Sequence, residues 1–125
     1  MNKNRLKIFR TMKSSVRGSD KHLLVGIDVA KNSHHAFFGT ANGRTLRKRL
    51  VFENSIKGFE SLRNLARDLQ NQYGLVEVVY GVEPTACYHK PVAEYLIRQN
   101  EQVVYVSNVA VAKNTYKAPV CQEAK

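Results

Sequence analysis

The stretch Leu23-Leu24-Val25-Gly26-Ile27-Asp28-Val29 carries apolar side chains at consecutive positions instead of at every second one. A strand with that pattern has no polar face to turn to water. It therefore reads as buried on both sides of a sheet, delivering one acid, Asp28, near its carboxyl end.

The neighbouring segments supply the rest of that sheet. Residues 34–40 and 45–52 flank Ala41-Asn42-Gly43-Arg44, where Asn-Gly is the strongest short-range hairpin signal. Asn54 and Ser55 suit a helix cap, and Ile56, Phe59, Leu62, Leu65, Ala66, Leu69 and Tyr73 follow as one helical stripe. Gly74 can enter the left-handed region and stop that helix. Residues 75–82 form a second continuous apolar run, interrupted only by Glu77, and Glu83 stands at its carboxyl end. Pro84 breaks the run. Pro91 fits a first helical turn, so a second helix is predicted over 88–99 with Val92, Tyr95 and Leu96 inward, followed by a fifth strand at 103–106. The predicted class is α/β, a mixed sheet in the order β-β-β-α-β-α-β, led by a hairpin and completed by right-handed crossovers. From Ser107 onward, Asn114, Pro119 and weak periodicity give no assignment.

The 125 residues make one domain, and at 43% hydrophobic content they fill a core, which excludes global disorder. No apolar run approaches the ~20 residues of a spanning helix. Asp28 and Lys31 interrupt the only segment that could serve as a signal peptide, so a cytoplasmic chain is expected. Cys87 and Cys121 lack CxxC spacing or His partners and are expected to be free structural thiols.

The net charge of +10 is uneven. Residues 1–21 hold Lys3, Arg5, Lys7, Arg10, Lys13, Arg17 and Lys21 against Asp20 alone, which reads as a flexible basic arm. Arg44, Arg47, Lys48 and Arg49 form a second cluster, and Lys31 follows the first acid closely. Positive charge of this density suggests a polyanionic partner, because each neutralised phosphate releases counterions; the plainer reading is solvated surface charge.

Asp28 and Glu83 each end a buried run, 55 positions apart. If their strands are neighbours, both acids emerge at one sheet edge, where α/β proteins place their sites. Paired carboxylates there suit Mg²⁺, which takes one or two carboxylates together with water and phosphate oxygens. The adjacent His34 and His35 point to opposite faces of a strand and do not share an ion. His34, His35 and His89 are expected in surface or packing roles; the alternative is that Tyr88 and His89, which follow Glu83 closely, touch a nucleic-acid backbone.

Gly26-Ile27-Asp28-Val29-Ala30-Lys31, Asn54-Ser55 with Gly58-Phe59 and Leu62, Gly81-Val82-Glu83-Pro84-Thr85 with Tyr88-His89, Val104-Tyr105-Val106-Ser107-Asn108 and Val111-Ala112-Lys113 occur in that order. Together they resemble the N-terminal domain of DEDD transposases of the insertion-sequence 110 family, over residues 22–113. The resemblance implies an RNase H-like (RuvC-like) fold acting on DNA with Mg²⁺. It makes Asp28 and Glu83 the first two of four metal-binding acids, and implies a structured guide RNA that the basic residues would bind.

The resemblance also implies a final Asp-x-x-Asp pair and a C-terminal domain with a reactive serine. Residues 114–125, which hold Glu123 as their one acid, supply neither. The expectation is a truncated transposase domain that is inactive alone, unless a copy of the chain in a homo-oligomer lends a carboxylate. Two other classes fit less of the sequence. One is a non-catalytic basic nucleic-acid-binding module. The other is an actin-like phosphotransferase, which needs a Gly/Ser/Thr-rich turn where Ala30-Lys31-Asn32 stands.

Overall fold

The computed structural model describes residues 8, 10, 12, 21–84 and 86–106. Their elements run β1 (His22–Asp28), β2 (Ser33–Thr40), β3 (Thr45–Glu53), α1 (Ile56–Gln72), β4 (Glu77–Val82), α2 (Lys90–Arg98) and β5 (Gln102–Tyr105). The five strands form one mixed sheet in the order β3-β2-β1-β4-β5. β1 lies at its centre, antiparallel to β2 and parallel to β4.

Both faces of β1 are covered, as its unbroken apolar pattern requires. Leu23, Val25 and Ile27 join Phe38, Phe52, Tyr80 and Val82 under α1 and α2, which supply Phe59, Leu62, Ala66, Leu69, Val92 and Leu96. On the other face Leu24, Phe37, Ala41, Val79 and Val106 pack with Ile8 and Met12. Ile8, Arg10 and Met12 are helical, and Ile8 and Met12 are fully buried. At these positions the segment expected as a flexible arm is therefore packed. The other residues of 1–20 lie outside the described residues.

Local chemistry explains the element ends. The Ser55 hydroxyl accepts from the Gly58 backbone N–H at 3.2 Å and caps α1. Gly74, at φ +65°, turns the chain out of the helix in the left-handed region that glycine enters without a Cβ clash. Ile56, expected on the buried stripe, opens the first turn and is 58% exposed, while Gly58 and Phe59 of the same turn are buried. Pro91 stands in the first turn of α2. Cys87, expected as a free thiol, is disulfide-bonded, and Cys121 lies outside the described residues.

Candidate metal and nucleic-acid site

Asp28 is the last residue of β1, and Glu83 directly follows β4. The last register pair between these parallel strands is Ile27↔Val82, so the two acids occupy the next step of the ladder, one strand spacing apart (~4.8 Å). Ile27 and Val82 point into the helix-covered core, so alternation puts Asp28 and Glu83 on the opposite face. Glu83 is 5% exposed, while Asp28 is partly open to solvent.

The loop after Asp28 is pinned from two sides. Ala30 N–H donates to His34 Nδ1 at 3.1 Å. From the β3–α1 corner, Asn54 donates its backbone N–H to the Asn32 carbonyl at 3.0 Å and its side-chain amide to the Lys31 carbonyl at 3.3 Å. These bonds fix the exposed Lys31 beside the acid edge.

His34 and His35 do point to opposite faces. His34 is buried with its ring edge-on to Phe52 at 5.3 Å, whereas His35 stands opposite Asp28 in the antiparallel β1–β2 register. The pairing places His35 next to the acid edge, where the sequence reading gave it only a surface or packing role. The hairpin register carries the signal, since counting back from Asn42-Gly43 places β2 against β1. His89 is 2% exposed and stacks edge-on against Tyr105 at 6.0 Å, the packing alternative of its expected surface or packing role.

Burial holds the His34 imidazole below its ordinary range; the side-chain contact with Asn54 opposes this, and the His35 charge adds to it. Since His34 Nδ1 accepts from Ala30, the neutral ring carries its proton on Nε2. His89 is likewise held low by burial, with Lys90 adding to the effect. In the unfolded chain both rings bind a proton below about pH 6.5, and the folded chain resists it, so the sign is fixed. Stability is full above about pH 6.5 and falls as the pH drops toward the lowered folded values. Urea midpoints measured between about pH 8 and 5 are expected to decline, and His34→Asn, which keeps an acceptor for Ala30, is expected to flatten that decline. An undiminished slope in His34→Asn would remove His34 from this account.

The basic residues are not gathered at one place. Arg47, Lys48 and Arg49 are exposed on the edge strand β3. Arg44 lies in the β2–β3 turn, beyond the Thr40 that pairs with Leu23, and so belongs to the edge opposite the acids. There its guanidinium lies 4.9 Å from the centre of the Tyr73 ring. The hairpin direction separates it from the acid edge. Arg10 is exposed, and Lys3, Arg5, Lys7, Lys13 and Arg17 lie outside the described residues. A groove of about 160 Å³ between Arg67, Glu77 and Glu101 also opens at the edge away from the acids.

The donor set suits a hard cation, because carboxylate oxygens beside solvent match what Mg²⁺ takes. Among the described residues no group of three or more His, Cys, Asp or Glu is placed to hold a metal ion. Among the described residues, too, no helix is long and apolar enough to cross a membrane.

No curated protein matches the chain significantly. Among solved structures, the exopolyphosphatase from Cytophaga hutchinsonii is similar at 13% identity and a TM-score of 0.38, over 68% of this chain. The chain spans about a third (34%) of that protein's length. The family model described as DEDD_Tnp_IS110, transposase, matches residues 25–125, taking in both acids and also the segment 114–125 that was expected to diverge. The chain therefore belongs to the DEDD transposase family of insertion sequence 110.

Proposed function

We propose that this chain is the RuvC-like, RNase H-like N-terminal domain of a DNA transposase, in which Asp28 and Glu83 contribute to a Mg²⁺ site and the exposed basic residues hold nucleic acid. The observation that carries the reading is the pairing of the two acids on neighbouring parallel strands, one ladder step past Ile27↔Val82, in a chain of this family. Bound there, Mg²⁺ would neutralise charge developing on a phosphoryl oxygen. Asp28 and Glu83 would hold the ion, His35 would orient Asp28 from across the ladder, and Lys31 would steady a phosphate at the rim. The partners are DNA and a structured guide RNA, and the cytoplasm is the compartment. A second copy of the chain is the natural donor of further carboxylates in a homo-oligomer.

A non-catalytic nucleic-acid-binding module is the second reading. The exposed Arg47, Lys48 and Arg49 and the two-acid site both favour it. Metal titration separates the two readings. Mn²⁺ followed by its paramagnetic broadening of backbone resonances is expected to act first around residues 28 and 83, and Asp28→Asn or Glu83→Gln is expected to weaken it about tenfold or more, because affinity follows ligand charge. Equal Mn²⁺ broadening in the double variant would sink the metal site and leave the binding module.

The 125-residue polypeptide is also expected not to nick supercoiled plasmid in Mg²⁺ or Mn²⁺, since electrostatic stabilisation is usually the largest catalytic contribution and two acids supply little of it. Divalent-dependent nicking abolished by Asp28→Ala and by Glu83→Ala would show that the site is complete.

A further inference from the structure

Ile8 and Met12 are four residues apart, one turn of a helix, and both are fully buried on the sheet face that α1 and α2 leave open. They fill the space that Gly81 leaves, beside the Phe37 ring that lies over Gly26. Gly26 and Gly81 are directly paired in the β1–β4 register. A Cβ on Gly81 would stand 2.6 Å from Met12 Sδ and 3.1 Å from Ile8 Cγ2, and a Cβ on Gly26 would run into the Phe37 ring. Any side chain at Gly81 would occupy the helix's seat.

The seat's position matters because Asp28 and Glu83 lie two residues beyond Gly26 and Gly81. Alternation puts all four on the same face, with about 7 Å of strand between the glycine pair and the acid pair. Arg10, midway between the two buried residues, is exposed on the outer side of the turn. The surrounding residues 1–21 hold seven basic residues against one acid.

We propose that Ile8 and Met12 hold Arg10 as a fixed part of the nucleic-acid surface on the face that carries Asp28 and Glu83, its ligand being the sugar-phosphate backbone of a strand passing the acid edge. The inference rests on the nucleic-acid reading above and goes further, because it makes binding depend on two apolar residues that touch no phosphate. A free basic tail must be ordered when it binds, and each immobilised long side chain weakens the complex; a seated helix has already been ordered by folding. Charge and seating thus contribute separately.

The test uses the full 125-residue chain and fluorescein-labelled single-stranded and duplex DNA, followed by anisotropy across a salt series, with trypsin cleavage after Arg10 as an independent report on seating. Ile8→Ser/Met12→Ser, which leaves the charge unchanged, is expected to weaken binding about tenfold at ~0.1 M salt, the equivalent of one or two newly immobilised side chains, and to speed cleavage after Arg10. Ile8→Leu/Met12→Leu is expected to restore both. Arg10→Gln keeps the anchor and is expected to lower the salt slope by about 0.9 on duplex DNA. Rapid cleavage with wild-type affinity in the serine variant would overturn the inference and leave the nucleic-acid reading standing, as would an unchanged slope in Arg10→Gln. Absence of salt-dependent binding by the wild-type chain would overturn both.

Discussion

Gly58→Ala is expected to lower the stability of the fold by about 3 kcal/mol or more, against the ordinary helix-propensity gain of ~0.5–1 kcal/mol for that substitution. The reason lies in a backbone-to-backbone approach. Gly58 is in the first turn of α1, buried, and a Cβ there would overlap the Glu53 carbonyl oxygen and stand 2.9 Å from the Glu53 carbonyl carbon and nitrogen. No side-chain rotation relieves a clash with main chain, so either α1 lifts away from β3 or the end of β3 shifts. Both movements strain the corner where Ser55 caps the helix and Asn54 reaches back to the loop after Asp28. With an m-value of ~1–3 kcal/mol/M in urea, the midpoint is expected to fall by about 1–3 M. A midpoint equal to or above that of the wild-type chain would show that propensity outweighs the contact. Gly74→Ala is the matched control, because nothing lies within 4 Å of its Cβ position and only its φ of +65° opposes the substitution.

The sequence made β1, the hairpin and both helix starts legible because each depends on residues close along the chain. Consecutive apolar positions at 23–27 mean burial on two faces wherever the strand lies, and Asn42-Gly43 turns the chain with Gly43 at φ +95°. The acid pair was legible for a related reason: strand ends are local, and only the adjacency of β1 and β4 had to be supplied by topology. What covered the second face of β1 was not legible. Ile8 and Met12 are two apolar residues in a basic segment, too few for a periodic signal, and the room they occupy is left by Gly81, some 70 residues on in the sequence. For His89 the sequence left surface and packing open, and Tyr105, 16 residues on, decides for packing by closing over it.

The largest functional effect is expected from the edge strand β3. Its exposed Arg47, Lys48 and Arg49 admit two explanations that predict different measurements. An edge strand presents unpaired backbone groups, and basic side chains along it deter another strand from adding, in which case their removal promotes self-association and leaves nucleic-acid binding unchanged. If instead they lie against phosphates, each contributes ~0.9 to the slope of log affinity against log salt on duplex DNA. Arg47→Gln/Lys48→Gln/Arg49→Gln is then expected to lower that slope by about 2.7, and over a fourfold rise in salt, ~0.6 log unit, the difference amounts to about 1.6 log units, or roughly 40-fold in affinity. Arg44 serves as the internal comparison, because it lies at the opposite edge from the acids with its guanidinium over Tyr73. Arg44→Gln is expected to change the slope by less than any one of the three. Titration of labelled duplex from about 50 to 200 mM salt, with sedimentation of the same samples, reads both explanations at once. An unchanged slope together with self-association of the triple variant would assign the cluster to edge protection and leave Lys31 and Arg10 as the nucleic-acid contacts to be tested next.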